Sequence, residues 1–131
     1  MTDSDDVCGQ ARGRARPPDR RLRLRRADTG RLAVVEASGD IDLTSVEEFD
    51  SCLCDAAATL HPGARLIVDL SAVGFLAACG VRSLLQAERL ATRRRGQMRL
   101  VAATEQVLMP LTVLGLLERL HVCGSRSEAA A

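Results

Sequence analysis

The run Leu66-Ile67-Val68-Asp69-Leu70 constrains this chain more than any other segment. Only Asp69 interrupts it, so a strand here is apolar on both faces. Such a strand belongs at the centre of a parallel sheet covered on both sides. Parallel neighbours need long crossovers, usually helical, and amphipathic segments flank the run. Upstream, Val46, Phe49, Leu53, Ala56 and Leu60 recur at spacings of three and four, the stripe of a helix. Thr44 followed by Glu47 predicts a capping box at its start, and His61-Pro62-Gly63 predicts its stop. Downstream, the small residues Ala77-Ala78-Cys79-Gly80 lead into a second helix carried by Val81, Leu84, Leu85 and Leu90. Arg93-Arg94-Arg95 sits in its last turn, where positive charge suits the helix dipole, and Gly96 ends it.

The remaining elements follow the same logic. Arg21-Leu22-Arg23-Leu24-Arg25 alternates strictly, as an edge strand with one wet face does. Asp28-Thr29-Gly30 supplies a turn, and Arg31 to Ser38 returns as a second strand, ended by Gly39-Asp40-Ile41-Asp42-Leu43. Met98 to Ala102 reads as another buried strand. Thr104 can cap a third helix bearing Val107, Leu108, Leu111 and Leu114, which either begins close to Pro110 or kinks there. A short strand closes the domain near Leu120 to Cys123. The order predicts an α/β fold with a mixed, mostly parallel sheet of four or five strands and three to four helices. Residues 20–123 form this domain. Residues 1–19 are expected to be a disordered basic tail, and 124–131 a disordered Ser/Glu/Ala tail.

Composition removes several functions. The 131 residues hold no lysine, tyrosine or tryptophan and two phenylalanines, so they offer neither a platform for single-stranded nucleic acid nor an aromatic cage. The net charge of +1 hides nine arginines against five aspartates in residues 1–31. That head is basic, but it lacks heptads, aromatics and an apolar face, and direct nucleic-acid binding is not expected. No signal peptide is visible, and the apolar stretch from Val107 to Leu117 is too short to cross a bilayer. A cytoplasmic protein is expected, with no membrane insertion. Its five cysteines, Cys8, Cys52, Cys54, Cys79 and Cys123, then read as reduced thiols.

Catalytic chemistry is hard to assemble. There is no P-loop and no glycine-rich dinucleotide fingerprint. His61 and His121 lie near a helix stop and the C-terminal region, so neither reads as a base. Cys52 and Cys54 on one helix point about 200° apart, which prevents chelation by the pair. Asp40, Asp42 and Asp69 are expected at neighbouring strand ends, where α/β folds bind ligands. Paired carboxylates there suit a metal or acid–base work, but solvated strand ends or partner contacts are the simpler reading. No enzyme, metal or cofactor is expected. Arg93 to Arg95 is a solvated helix end, with an acidic partner as the alternative.

Several segments carry a resemblance. Gly39-Asp40-Ile41-Asp42-Leu43-Thr44 resembles the "GELDLxT" segment of STAS domains, the family of bacterial anti-sigma-factor antagonists. Val68-Asp69-Leu70-Ser71-Ala72-Val73 resembles its "VDLSxV" strand. Phe75-Leu76-Ala77-Ala78-Cys79-Gly80-Val81 falls where the family has "FLDSSGL", and Leu114-Gly115-Leu116 resembles the later "TGL". The likeness runs from about Leu22 to Val122, and the arginine- and alanine-rich composition suits a high-GC actinobacterium.

The resemblance implies partner switching in transcription regulation. The unphosphorylated antagonist binds an anti-sigma factor that is also a serine kinase, which frees the sigma factor. Phosphorylation of the serine before the glycine disrupts binding by adding about −1.5 to −2 charges. In this chain Cys79 replaces that serine, Ala78 the serine before it and Ala77 the aspartate. A thiol is no substrate for a serine kinase, so a binding module not switched at this site is expected. Its candidate contacts are Asp40, Asp42, Thr44, Cys79, Gly80 and Val81, with Cys79 as the degenerate phosphosite. Thr44 and Gly80 read equally well as a cap and a tight turn. Alternatives are an accessory subunit of a transporter or stress-signalling complex, and a redox switch through Cys79, whose thiolate a helix N-terminus favours. Phosphorylation of Ser71 or Ser83 is a further possibility, although Ser71 matches a family serine that satisfies backbone groups. STAS modules are often monomeric until they meet a partner.

Overall fold

The computed structural model describes residues 20–131. The expected basic tail and Cys8 therefore lie outside the described residues. The α/β fold class holds. Strands β1 (Arg23–Asp28), β2 (Leu32–Ile41), β3 (Arg65–Leu76), β4 (Gln97–Val101) and β5 (Val122–Cys123) form one sheet in sequential order. The β1–β2 pair is antiparallel and the others are parallel. Helices α1 (Val46–Ala58), α2 (Ala78–Arg93), α3 (Glu105–Val113) and α4 (Arg126–Ala130) complete the order.

One main core lies between the sheet and α1–α3. Phe49 and Leu53 of α1, Val81 and Leu84 of α2 and Val107 and Leu111 of α3 meet Val35, Leu66, Val68 and Leu70 there. Gly80 sets how closely α2 approaches the strands. A methyl group at that position would sit 2.7 Å from both Ile41 Cγ2 and Leu76 Cδ1.

The opposite sheet face carries a second, smaller cluster of Ile67 and Val101, covered by Ala129 of α4. Residues 124–131, expected to fray, thus contain a docked helix. Its own propensity is weak at this length, so tertiary contacts hold it. Arg126 at its start donates Nη2 to Glu36 at 2.6 Å and Nε to Asp69 at 2.9 Å. Beyond its last turn, Arg65 Nη1 donates to the carbonyls of Ala129, Ala130 and Ala131, and Arg99 Nη1 also reaches Ala129. These guanidiniums meet carbonyls that an α-helix leaves without partners, at its negative end.

Other boundaries also differ from the sequence reading. The capping box is absent: Ser45 occupies the N-cap position of α1 without a side-chain cap bond. Asp42 has captured Thr44 instead, accepting its hydroxyl at 2.7 Å and its amide at 3.0 Å. The charged carboxylate two residues away is a stronger partner for the hydroxyl than the neutral Glu47 amide further on. Strand β3 continues six residues past Leu70, because Ala72 to Leu76 pair with Ser38 to Ile41 across two register shifts. Helix α3 begins at Glu105 and runs through Pro110. Thr104 holds its N-cap position, but only through its carbonyl, which accepts from Val107 and Leu108.

Two outcomes test this packing. Gly80→Ala should lower the unfolding free energy by about 1–3 kcal/mol through overpacking, read from urea midpoints at unchanged slope. Asp69 supplies the second. Burial works to raise its pKa, but the Ser71 hydroxyl and amide and the Arg126 guanidinium outweigh this and hold the carboxyl below its ordinary value. A carboxyl depressed on folding contributes stability above its unfolded pKa and loses it as pH falls through the folded one. Urea titrations should therefore show stability declining on acidification below the ordinary carboxylate range, with a shallower decline in Arg126→Ala.

Candidate functional site

The carboxyl ends of β2 and β3 leave the sheet side by side, since Ile41 pairs with Leu76. The Ala77 amide donates to the Ile41 carbonyl at 2.9 Å, so the start of α2 is fixed to the end of β2. Ala77 caps α2 without a side-chain acceptor, and no acid lies in the first turn. The N-terminus of α2 is electrostatically bare at the place where Cys79 stands.

Two large apolar side chains border this end of the sheet in the open. Leu43, in the turn from β2 to α1, is 83% exposed, and Phe75, near the end of β3, is 49% exposed. Thr44 is exposed and Cys79 half-buried between helix and solvent. The six expected contacts therefore divide. Asp42, Thr44 and Cys79 reach the surface, whereas Gly80 and Val81 are buried against the strands and act in packing. Asp40 is sunk to 9% exposure within β2. Leu43 and Phe75 were not among the expected contacts. Their signal was a large apolar residue beside polar residues in a turn, Asp42-Leu43-Thr44, or beside a glycine near a strand end, Gly74-Phe75.

Cys79 also borders a groove of about 560 Å³ between α1 and α2, together with Glu47, Asp50, Cys54, Arg82 and Ser83. Ser83 is buried and its hydroxyl donates to the Cys79 carbonyl at 3.4 Å. The Ser71 hydroxyl is exposed but donates to Asp69 Oδ1 at 2.6 Å. Asp69 does not join Asp40 and Asp42. It lies opposite Glu36, four residues before Asp40 in β2, and belongs to the α4 anchor. Among the described residues no three His, Cys, Asp or Glu side chains are placed to hold a metal ion. No helix among them is long and apolar enough to cross a membrane. Of the arginine triplet, Arg94 turns inward, and its Nε donates to the Leu60 carbonyl at 3.2 Å.

A second exposed apolar set, Met109, Val113, Leu114 and Leu117, lies on and after α3. Leu114, expected on the buried stripe, is instead the exposed C-cap of that helix.

Comparison with known proteins places this geometry. The STAS domain family model matches residues 24–129. Among solved structures, an anti-sigma factor antagonist from Mycobacterium paratuberculosis superposes with a TM-score of 0.77 at 24% identity, over 87% of this chain and 94% of that one. The anti-sigma factor antagonist SpoIIAA in its unphosphorylated form gives 0.67 at 19% identity, over 84% and 93%. The murine Solute Carrier 26 family member A9 anion transporter gives 0.63 at 22% identity, over 79% of this chain but 18% of the transporter. No curated protein sequence matches. At these identities the likeness to each structure is one of fold.

Burial raises the thiol pKa of both Cys52 and Cys54, opposed at Cys52 by Arg26 and reinforced at Cys54 by Asp50. Thiolate is the reactive form. Iodoacetamide at mildly alkaline pH should therefore alkylate both several-fold more slowly than free cysteine, as peptide mass spectrometry of a time course would record.

Proposed function

The chain belongs to the STAS domain family, and from that premise we propose that it is an anti-sigma-factor antagonist whose usual phosphorylation switch is missing. The observation that carries this reading is the half-buried thiol of Cys79 at the uncapped start of α2, at the sheet end bordered by exposed Leu43 and Phe75. An apolar surface of this kind suits a protein partner more than a small polar substrate. The partner proposed is an anti-sigma factor of the serine-kinase type, and its capture frees a sigma factor in the cytoplasm.

The missing hydroxyl decides how the complex is regulated. In the family pattern, phosphate at this position places negative charge and bulk in the docking surface, which breaks an apolar contact. Cys79 offers the kinase no oxygen nucleophile. Ser83 is buried, and the Ser71 hydroxyl is engaged with Asp69. The antagonist therefore holds its partner irrespective of ATP.

A second reading takes support from the fold shared with part of an anion transporter. There the same surface serves as an accessory subunit of a membrane transport complex. The two readings differ in what co-purifies.

Wild-type and Cys79→Ser proteins, used as bait in native cytosol with ATP and reductant, separate them. The expected outcome is that both capture a kinase-type anti-sigma factor, and that only the Ser variant gains phosphate and releases it. Leu43→Glu should weaken capture at least about tenfold, equal to about 1.4 kcal/mol, at unchanged urea midpoint because Leu43 is exposed. Recovery of a permease complex, or of no kinase, removes the sigma-factor reading.

A further inference from the structure

The two carboxylates sunk in the central strands are treated differently by the fold. Asp69 is 7% exposed and accepts from the Ser71 hydroxyl and amide and from Arg126. Asp40 is 9% exposed, yet among the described residues no donor lies within hydrogen-bond distance of its carboxylate. Ser45, its near neighbour, donates to the Asp40 main-chain carbonyl instead.

That carboxylate faces a cavity. Past the level of α4, β2 and β3 border a space of about 480 Å³ lined by Arg20, Gly39, Asp40, Ala72, Gly74 and Phe75. Its walls are small: Ala72 and Gly74 bring little side chain to the opening, and Gly39 lies beneath the main chain of Arg20 and Arg21. A methyl group at Gly74 would come within 3.3 Å of Asp40 Oδ1, so even that addition would crowd the carboxylate. Phe75 supplies the one large apolar wall and is half exposed. The Phe75 side of the cavity is also part of the sheet end proposed to dock a partner, so the two surfaces are continuous.

We propose that this cavity seats an arginine side chain of the protein partner. A guanidinium can meet the carboxylate with two parallel donors and lay its plane on an aromatic ring, and it is more weakly hydrated than an ammonium. An acidic floor beneath an aromatic wall offers both contacts to one group. The occupant rests on the partner-binding reading above, but the chemistry of the seat does not depend on which partner it is. The chain's own arginines at positions 12, 14, 16 and 20 are the competing occupants, since they precede or line the cavity.

The test is an amide-shift titration of the full 131-residue chain with N-acetyl-arginine methylamide. Saturable shifts confined to Gly39, Gly74, Phe75 and their neighbours are expected, with the lysine analogue weaker and the uncharged citrulline analogue inert. Asp40→Asn should weaken binding at least about tenfold. Phe75→Leu, at a half-exposed position, should weaken it several-fold and guards against a misfolded Asn variant. Absence of shifts in the wild type, equal shifts in Asp40→Asn, or equal binding of the lysine analogue would overturn the proposal. Binding that emerges only when Arg12, Arg14, Arg16 and Arg20 are all replaced by Gln would overturn it too, by assigning the seat to the chain itself. A positive titration with no kinase captured would remove the antagonist reading and leave the seat. A captured kinase with a silent titration would remove the seat alone.

Discussion

Burial of β3 on both faces is the constraint from which the other features follow. A strand flanked by β2 and β4, with Leu66, Val68 and Leu70 on one side and Ile67 on the other, requires cover from two directions. Helices α1 to α3 provide one cover with a large shared core. The other is small and is supplied by α4, whose five residues bury little on their own. Charge completes what apolar area cannot. The guanidiniums of Arg65, Arg99 and Arg126 reach between sheet and helix, and the one acid inside the greasy run, Asp69, is the group that receives Arg126.

The same strand sets the proposed docking surface. Because β3 outruns β4 by seven residues, its far half pairs with β2 alone and carries Phe75 into the open. The Ile41–Leu76 pairing then delivers the start of α1 and the start of α2 to one end of the sheet. Gly80 allows α2 to lie close enough for Cys79 to sit at the rim while Val81 enters the core. Surface and packing alternate residue by residue here, and neighbours in sequence can have opposite roles.

That alternation explains what the sequence disclosed and what it concealed. Periodicity placed α1, α2, the central strands and the mixed sheet correctly, because burial at those positions is decided by many apolar contacts acting together. The capping box failed because Thr44 had two possible acceptors or donors within reach, and sequence spacing alone does not weigh the carboxylate of Asp42 against the amide of Glu47. The tail failed for a related reason. Arg-Ser-Glu-Ala-Ala is too short to hold a helix by itself, and the partners that order it, Glu36, Arg65, Asp69 and Arg99, are distant in the chain. In the candidate site, motif position identified Asp42, Thr44 and Cys79 as surface residues but also drew in Gly80 and Val81. A motif records which residues occur together, not which of them face water.

The docking of α4 also has a temporal side. Its anchoring contacts join residues 57, 64 and 90 positions apart, so each closes a long loop and is entropically late. While the chain is being made, β2, β3 and β4 can pair and gather α1 and α2 before residues 126–130 have left the ribosome. During that interval Ile67 and Val101 lie uncovered, and Asp69 and Glu36 wait without their guanidinium. The nascent domain thus passes through a form with one finished face and one adhesive face, and its exposure to misassembly ends only when the five residues of α4 dock.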